Sequence, residues 1–107
     1  MIVEYIRYKI PDSQAAEFVA AYALAAKQLD NSPYCQGYEL SQCAEDKEHF
    51  ILRIEWTSID AHLNGFRKSA GFASFFAAIK PFFNQIEEMK HYEVTSVRSG
   101  AGSGTRQ

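Results

Sequence analysis

The chain has 107 residues, 47% of them apolar and 14% aromatic, with thirteen acidic and eleven basic side chains giving a net charge of −2. That length fits one domain, and that apolar content excludes an intrinsically disordered chain. The near-balanced, interspersed charges exclude a nucleic-acid stripe or an anionic-membrane patch, and no apolar run reaches the ~18 residues of a membrane span.

Ile2 to Ile10 alternates, with Ile2, Ile6, Tyr8 and Ile10 on one side and Val3, Tyr5, Arg7 and Lys9 on the other, which predicts a strand with one apolar face. Charges inside this stretch set it apart from a signal peptide. Glu4 shares the inward parity, so it must either reach water at the sheet's end or sit buried with a partner or a raised pKa. Pro11-Asp12-Ser13 ends the strand and supplies an N-cap. From Ala15, apolar residues Phe18, Val19, Tyr22, Ala25, Ala26 and Leu29 recur at helical spacing until Asp30-Asn31-Ser32-Pro33 stops them.

Tyr34 to Cys43 alternates again, with Tyr38 and Leu40 opposite Cys35, Glu39 and Ser41. The polar stretch Ala44 to Glu48 predicts a hairpin to a third strand, in which Phe50, Leu52, Ile54 and Trp56 share a face. Cys35 and Cys43 lie eight residues apart on one predicted strand, at ~3.4 Å per residue far beyond the ~7 Å Cα limit of a disulfide. Reduced thiols and a cytoplasmic location are expected.

Thr57 or Ser58 caps a short helix whose apolar set is Ile59, His62, Leu63 and Phe66. Gly65 and Gly71 bracket a break near Ser69. A second helical segment follows, burying Phe72, Phe75, Phe76, Ile79, Phe83 and Ile86, with Pro81 ending or kinking it. Lys90 to Val97 is expected as a last strand, with Tyr92 and Val94 facing the helices and His91 and Glu93 facing away. These assignments give a single domain over residues 1–97. The stretch SGAGSGTRQ has the composition of a linker, and a disordered tail is expected over 98–107.

The element order is that of an α+β, ferredoxin-like βαββαβ fold, an antiparallel sheet with helices on one face. The other face would mix Val3, Tyr5, Ile51, Cys35 and Met89 with Arg7, Glu39, Arg53, Glu55, His91 and Glu93. Pairing two such faces would bury the apolar groups, so a homodimer through the open sheet face is expected.

No glycine-rich phosphate loop follows a strand, since GAGSG lies in the tail, and His49, His62 and His91 show no metal-ligand spacing. The aromatic interior is more informative. Tyr8, Tyr38, Trp56 and Tyr92 share the helix-facing parity, and Phe66, Phe72, Phe75, Phe76 and His62 face them. Such a layer is either a packed core with satisfied polar tips or an apolar pocket for an aromatic ligand. In a pocket, His62 would suit proton transfer from a phenol or hydroquinone.

The strand FILRIEW (Phe50 to Trp56), the following TSIDAHLNGFRKSAGFASFF (Thr57 to Phe76) and the earlier SPYCQGYELSQC (Ser32 to Cys43) resemble the antibiotic biosynthesis monooxygenase family, over roughly Met1 to Thr95. The resemblance implies a dimeric α+β barrel with a pocket between sheet and helices in each subunit. It further implies oxidation of a quinol, anthrone or other polyphenolic aromatic by O2, without metal, flavin or haem. On that likeness Trp56 would orient the substrate or its peroxy intermediate and His62 would do acid–base work. Tyr8 and Tyr38 would hydrogen-bond a quinone oxygen, and Phe66, Phe72, Phe76 and Tyr92 would line the pocket. The haem-degrading branch carries an asparagine on its first strand, whereas Asn31, Asn64 and Asn84 all lie elsewhere here. Two other expectations stand beside the oxygenase: a noncatalytic small-molecule binding or sensing dimer, and a haem-binding or haem-degrading protein.

Overall fold

A computed structural model describes residues 1–99. Four strands, β1 (Ile2–Lys9), β2 (Cys35–Gln42), β3 (His49–Trp56) and β4 (Ile86–Glu93), form one antiparallel sheet in the order β2-β3-β1-β4. Two helices, α1 (Ala15–Asp30) and α2 (Ala70–Ile79), cover one face. The split βαβ arrangement follows, with β3 inserted between β1 and β2. The sheet is open, ending on the edges of β2 and β4. Among the described residues no helix is long and apolar enough to cross a membrane. The expectation of a disordered tail falls, from residue 100 onward, outside the described residues.

The local causes are mostly those of the sequence. β1 and β3 alternate and pair in register, Ile2 opposite Trp56 through Lys9 opposite His49, so Glu4, Ile6 and Tyr8 share the helix-facing side with Leu52, Ile54 and Trp56. The Ala-rich α1 has high helix propensity and buries Phe18, Tyr22, Ala25, Ala26 and Leu29. Val19, expected inside, is exposed. The 12–14 stretch forms a 3₁₀ turn without a side-chain cap, so the expected cap within Asp12-Ser13 is not made. Phe18 packs edge-on or tilted against Tyr8, Tyr22, Phe50 and Phe82, with ring centroids 4.8–5.2 Å apart. A herringbone of this kind adds to area burial the quadrupole complementarity of each pair.

Two bulges revise the expected faces. Cys35 pairs with Trp56 and Gly37 with Glu55, leaving Gln36 as an extra residue. Cys35 therefore packs against the core rather than lying on the open face. On β4, Arg7 pairs with Glu88 but Tyr8 with Ile86, so Glu87 is extra. The strand also begins at Ile86, four residues before the expected Lys90. Past the bulge the parity reverses: Met89 and His91 point to the helix side, and Tyr92 points to the open face, where its ring meets Tyr5 edge-on at 5.4 Å.

After β3, Ser58 Oγ accepts a hydrogen bond from the Ala61 N–H at 2.9 Å, starting a helical segment. It widens into a π turn over Ala61–Gly65 and tightens to a 3₁₀ turn over Phe66–Lys68. His62 and Phe66 are buried as expected, but Ile59 and Leu63 are largely exposed and Ala61 takes a buried place. Gly65 makes room for a neighbour: a Cβ there would lie 2.8 Å from the ring of Tyr34, which would have to shift. Pro81 stands at the start of a 3₁₀ turn, Lys80–Gln85, that follows α2. The change from 3.6 to 3.0 residues per turn buries Phe82 and leaves Phe83 45% exposed, the reverse of the α-helical expectation.

Candidate functional site

Beneath α2 the sheet and helices do not meet fully. A cavity of about 240 Å3 lies between them, walled by Ile6, Ile54, Phe66, Phe75 and Ile79, with half-buried Phe72 and Phe76. Phe83 and Met89, both well exposed, stand at the rim. The expected aromatic pocket thus has a physical counterpart, and Tyr8, Trp56, His62, Phe66, Phe72 and Phe76 all line it. Two residues expected there lie elsewhere. Tyr92 is on the opposite face because of the Glu87 bulge. Tyr38 shares the helix side but lies over α1, where its hydroxyl donates to Asp30 Oδ1 at 2.8 Å.

The polar groups of the cavity concentrate at one end. The Trp56 Nε1–H donates to Glu4 Oε1 at 3.0 Å. Glu4 is 1% exposed, and its Oε2 is buried with no hydrogen-bond partner among the described residues. The His62 imidazole stacks flat on the Trp56 indole, centroids 4.3 Å apart and planes 9° from parallel. Its Nδ1 lies 2.7 Å from His91 Nε2, and its Nε2 accepts from the Arg67 Nε–H at 3.3 Å. That pattern assigns the His62 proton to Nδ1, which donates to His91. At the other end the Tyr8 and Tyr22 hydroxyls share a short hydrogen bond.

Burial sets the charge states. Desolvation raises the Glu4 pKa, against the Trp56 hydrogen bond and the Arg67 guanidinium, which lower it. Desolvation, then Arg67 and His91, pushes His62 down to about 3, so the imidazole is neutral at pH 7. His91 is lowered for the same first reason, then by Arg67. Desolvation pushes the Tyr8 phenol up to about 12 and raises Tyr22 further still. Near neutral pH the cavity therefore presents one carboxyl group, one guanidinium and several neutral polar tips. The His62 Nε2–Glu4 Oε1 approach of 3.6 Å is not an ion pair while His62 is neutral.

One ligand atom each from Glu4, His62 and His91 lies within 4.8 Å of the others, a carboxylate-and-imidazole set of the kind that binds transition metals. Two features oppose a cation: the Arg67 guanidinium sits against His62 Nε2, and His62 Nδ1 is hydrogen-bonded to His91. The trio is better described as a hydrogen-bonded wall.

Sequence reasoning left Glu4 undecided, placed His91 on the open face and gave Arg67 no place in the pocket. The signal for Arg67 was its spacing of five from His62, which a π turn of about 4.4 residues brings onto one side and an α-helical wheel does not. His91 carried no such signal, because an unseen bulge decides its face.

Comparison with known proteins agrees with this architecture. Residues 1–78 match the sequence profile described as antibiotic biosynthesis monooxygenase. An uncharacterized Bacillus subtilis protein, YczJ, is 25% identical over 93 residues, covering 87% of this chain and 98% of its own length. A Bordetella bronchiseptica structure assigned to antibiotic biosynthesis monooxygenases is similar at TM-score 0.77 and 23% identity, over 88% of this chain and 96% of its own. SnoaB from Streptomyces nogalater, a cofactor-independent oxygenase solved as a point mutant, is similar at TM-score 0.70 and 16% identity, over 94% and 97% respectively. These structures share the ferredoxin-like fold.

Proposed function

Because the chain belongs to the antibiotic biosynthesis monooxygenase family, we propose that it oxidises a one- or two-ring quinol or related phenol with O2 in the cavity beneath α2. The observation that carries this reading is the apolar cavity itself, with an indole and a buried carboxyl at one end. Its size narrows the substrate. A cavity of about 150 Å3 holds one benzene ring, so about 240 Å3 suits one substituted ring or two fused rings better than a three-ring anthrone. A porphyrin is much larger than this volume, which favours a small phenol over haem. SnoaB's cofactor-independent oxygenation supports chemistry driven by the substrate's own electrons.

The reaction balances without an external reductant. A phenol loses its hydroxyl proton, and the electron-rich anion passes one electron to O2. The radical pair combines at a ring carbon, and the peroxide takes up a proton. Loss of the ring C–H proton then breaks the O–O bond, leaving a quinone carbonyl and releasing hydroxide, which becomes water with that proton. One oxygen atom enters the product and the other leaves as water. The protein's share is binding, proton transfer and exclusion of bulk water. The apolar walls suit O2 as well as a flat ring, and the stacked Trp56 and His62 planes form a flat surface for it.

The test is oxygen uptake under 18O2 in chelator-treated buffer, with hydroquinones of one and two rings and with an anthrone. The expected result is one O2 consumed per quinone formed, with one labelled atom in the product and fastest turnover for the smaller substrates. Uptake no faster than protein-free autoxidation, or hydrogen peroxide as the sole reduced product, would overturn the reading.

The open sheet face supports a second part of the proposal, a two-fold homodimer. Ile51 and Tyr5 remain partly exposed there, and Tyr92 is 46% exposed. Arg7–Glu88 and Arg53–Glu55 pairs frame these groups. Two such faces would close two open sheets into one barrel. Light scattering on the wild type should give twice the chain mass and on Tyr92→Glu a single mass; a monomeric wild type would refute the dimer. Both cysteines are free, in keeping with the proposed cytoplasmic location.

A further inference from the structure

We propose that Glu4, through Oε2, is the base that takes the proton from the hydroxyl of the bound substrate, so that the cavity selects aromatics bearing an ionisable O–H. The inference rests on the cavity being the substrate site. Four observations lead to it. Glu4 lies on β1 facing the cavity, is 1% exposed, and has one oxygen held by Trp56 and the other without a partner among the described residues. A buried acceptor left unpaired by the protein is costly, and a native fold meets it with a water, a ligand or a reacting group.

His62, the more obvious base, is engaged at both ring nitrogens and held flat on the indole. Offering a lone pair would require breaking its bond with Arg67, and an imidazole with a pKa of about 3 is a weak base at pH 7. It is a positioning residue, holding the Arg67 guanidinium toward the cavity. Arg67 lines that cavity, and its Nη2 is 3.9 Å from the Met89 sulfur, a weak acceptor. The cation is therefore placed to stabilise the phenolate that forms.

In the proposed step the substrate O–H bond breaks and a new O–H bond forms at Oε2. The electron pair stays on the phenolate oxygen, and Glu4 becomes a neutral acid. The same proton then goes to the peroxide, and Glu4 is free to receive the ring C–H proton and pass it to the departing hydroxide. A raised Glu4 pKa favours this role, since a general base works best when its pKa lies near the working pH. The other titratable or charged groups near Glu4 are His91 from β4, His62 and Arg67 from the 61–68 segment, Tyr8 on β1 itself and Tyr22 from α1.

The experiment uses 4-nitrophenol, which binds as a phenol but is too electron-poor to react with O2, and whose anion absorbs at longer wavelength than the neutral form. Across a pH series, wild type should hold it as phenolate below the pH at which it ionises in buffer. Glu4→Gln, which keeps an acceptor for Trp56, and Glu4→Asp, which draws the carboxyl back, should both lose that phenolate. His62→Asn, which loosens Arg67 but leaves the carboxylate in place, should reduce it less than Glu4→Gln does. With an oxidisable quinol, Glu4→Gln should lower kcat about a hundredfold or more, while affinity for 1,4-naphthoquinone, which has no O–H to lose, stays within twofold. Equal phenolate in wild type and Glu4→Gln, or loss in His62→Asn alone, would overturn the assignment. Phenolate formation that follows Glu4 in a protein showing no oxygen uptake would sustain the assignment and refute the oxygenase reading alone.

Discussion

Two apolar hollows flank Tyr22 on the same face of the sheet. One, beneath α2, measures about 240 Å3; the other, between α1 and β2, is larger at about 460 Å3 and is lined by Val19, Ala26, Tyr38, Leu40 and Leu52. The larger one has polar tips too, but each is satisfied at the surface: Tyr38 by Asp30 and Gln42 by the Lys47 carbonyl. The smaller one buries a carboxyl with an idle oxygen, a neutral imidazole and a guanidinium. Volume and aromatic content do not separate the two hollows as candidate sites. A buried ionisable group that the fold itself leaves unsatisfied does.

The comparison is sharpest at His62. His62→Ala should empty the space beside Trp56 and release Arg67, costing on the order of 2–3 kcal/mol of stability and lowering kcat/KM at least tenfold. The pH dependence gives an independent check on the same side chain. The folded state keeps His62 neutral, with a pKa of about 3, whereas the unfolded chain protonates near 6.5. Between those values the unfolded state binds more protons, so stability is full above pH ~6.5 and falls as pH drops toward 3. Glu4 has the opposite sign: its raised pKa makes its contribution largest in acid and loses it as pH rises through the folded-state value. Urea unfolding from pH 3 to 8 should show a flatter acid limb in His62→Asn and a flatter upper limb in Glu4→Gln.

A smaller effect is expected at the α2 wall. Phe72 is only half-buried, so Phe72→Ala should cost about 1 kcal/mol while raising KM severalfold, because its ring walls the proposed substrate cavity. The smallest effect belongs to the other hollow. Tyr38→Phe removes one surface hydrogen bond, worth about 1 kcal/mol or less, and should leave kcat/KM within twofold. A Tyr38→Phe protein as impaired as His62→Ala would reverse the assignment of the two hollows.

Much of this was legible in the residues. Unbroken alternation in β1 and β3 placed Glu4, Tyr8 and Trp56 on one face, and helical spacing brought Phe66 and His62 over them. Most of what failed did so for one physical reason: a local change of period. An extra residue at Gln36 turned Cys35 inward, and another at Glu87 exchanged His91 for Tyr92. A π turn brought Arg67 to His62, and a 3₁₀ turn after Pro81 exchanged Phe82 for Phe83. Each change depends on pairing or packing with a distant segment, and a periodicity count along one stretch does not register it. The polar end of the cavity was the hardest part to read, since both His91 and Arg67 arrive through such changes.

Trp56 is the chain's sole tryptophan, and it sits in the cavity wall with Glu4 and His62, so its fluorescence reports on that hollow alone. Titration with a water-soluble naphthoquinone should quench it saturably, at one molecule per chain, in the wild type and in Tyr38→Phe, and with clearly weaker affinity in Phe72→Ala. Quenching that rises linearly without saturation, or that responds to Tyr38→Phe and ignores Phe72→Ala, would contradict a guest site beneath α2.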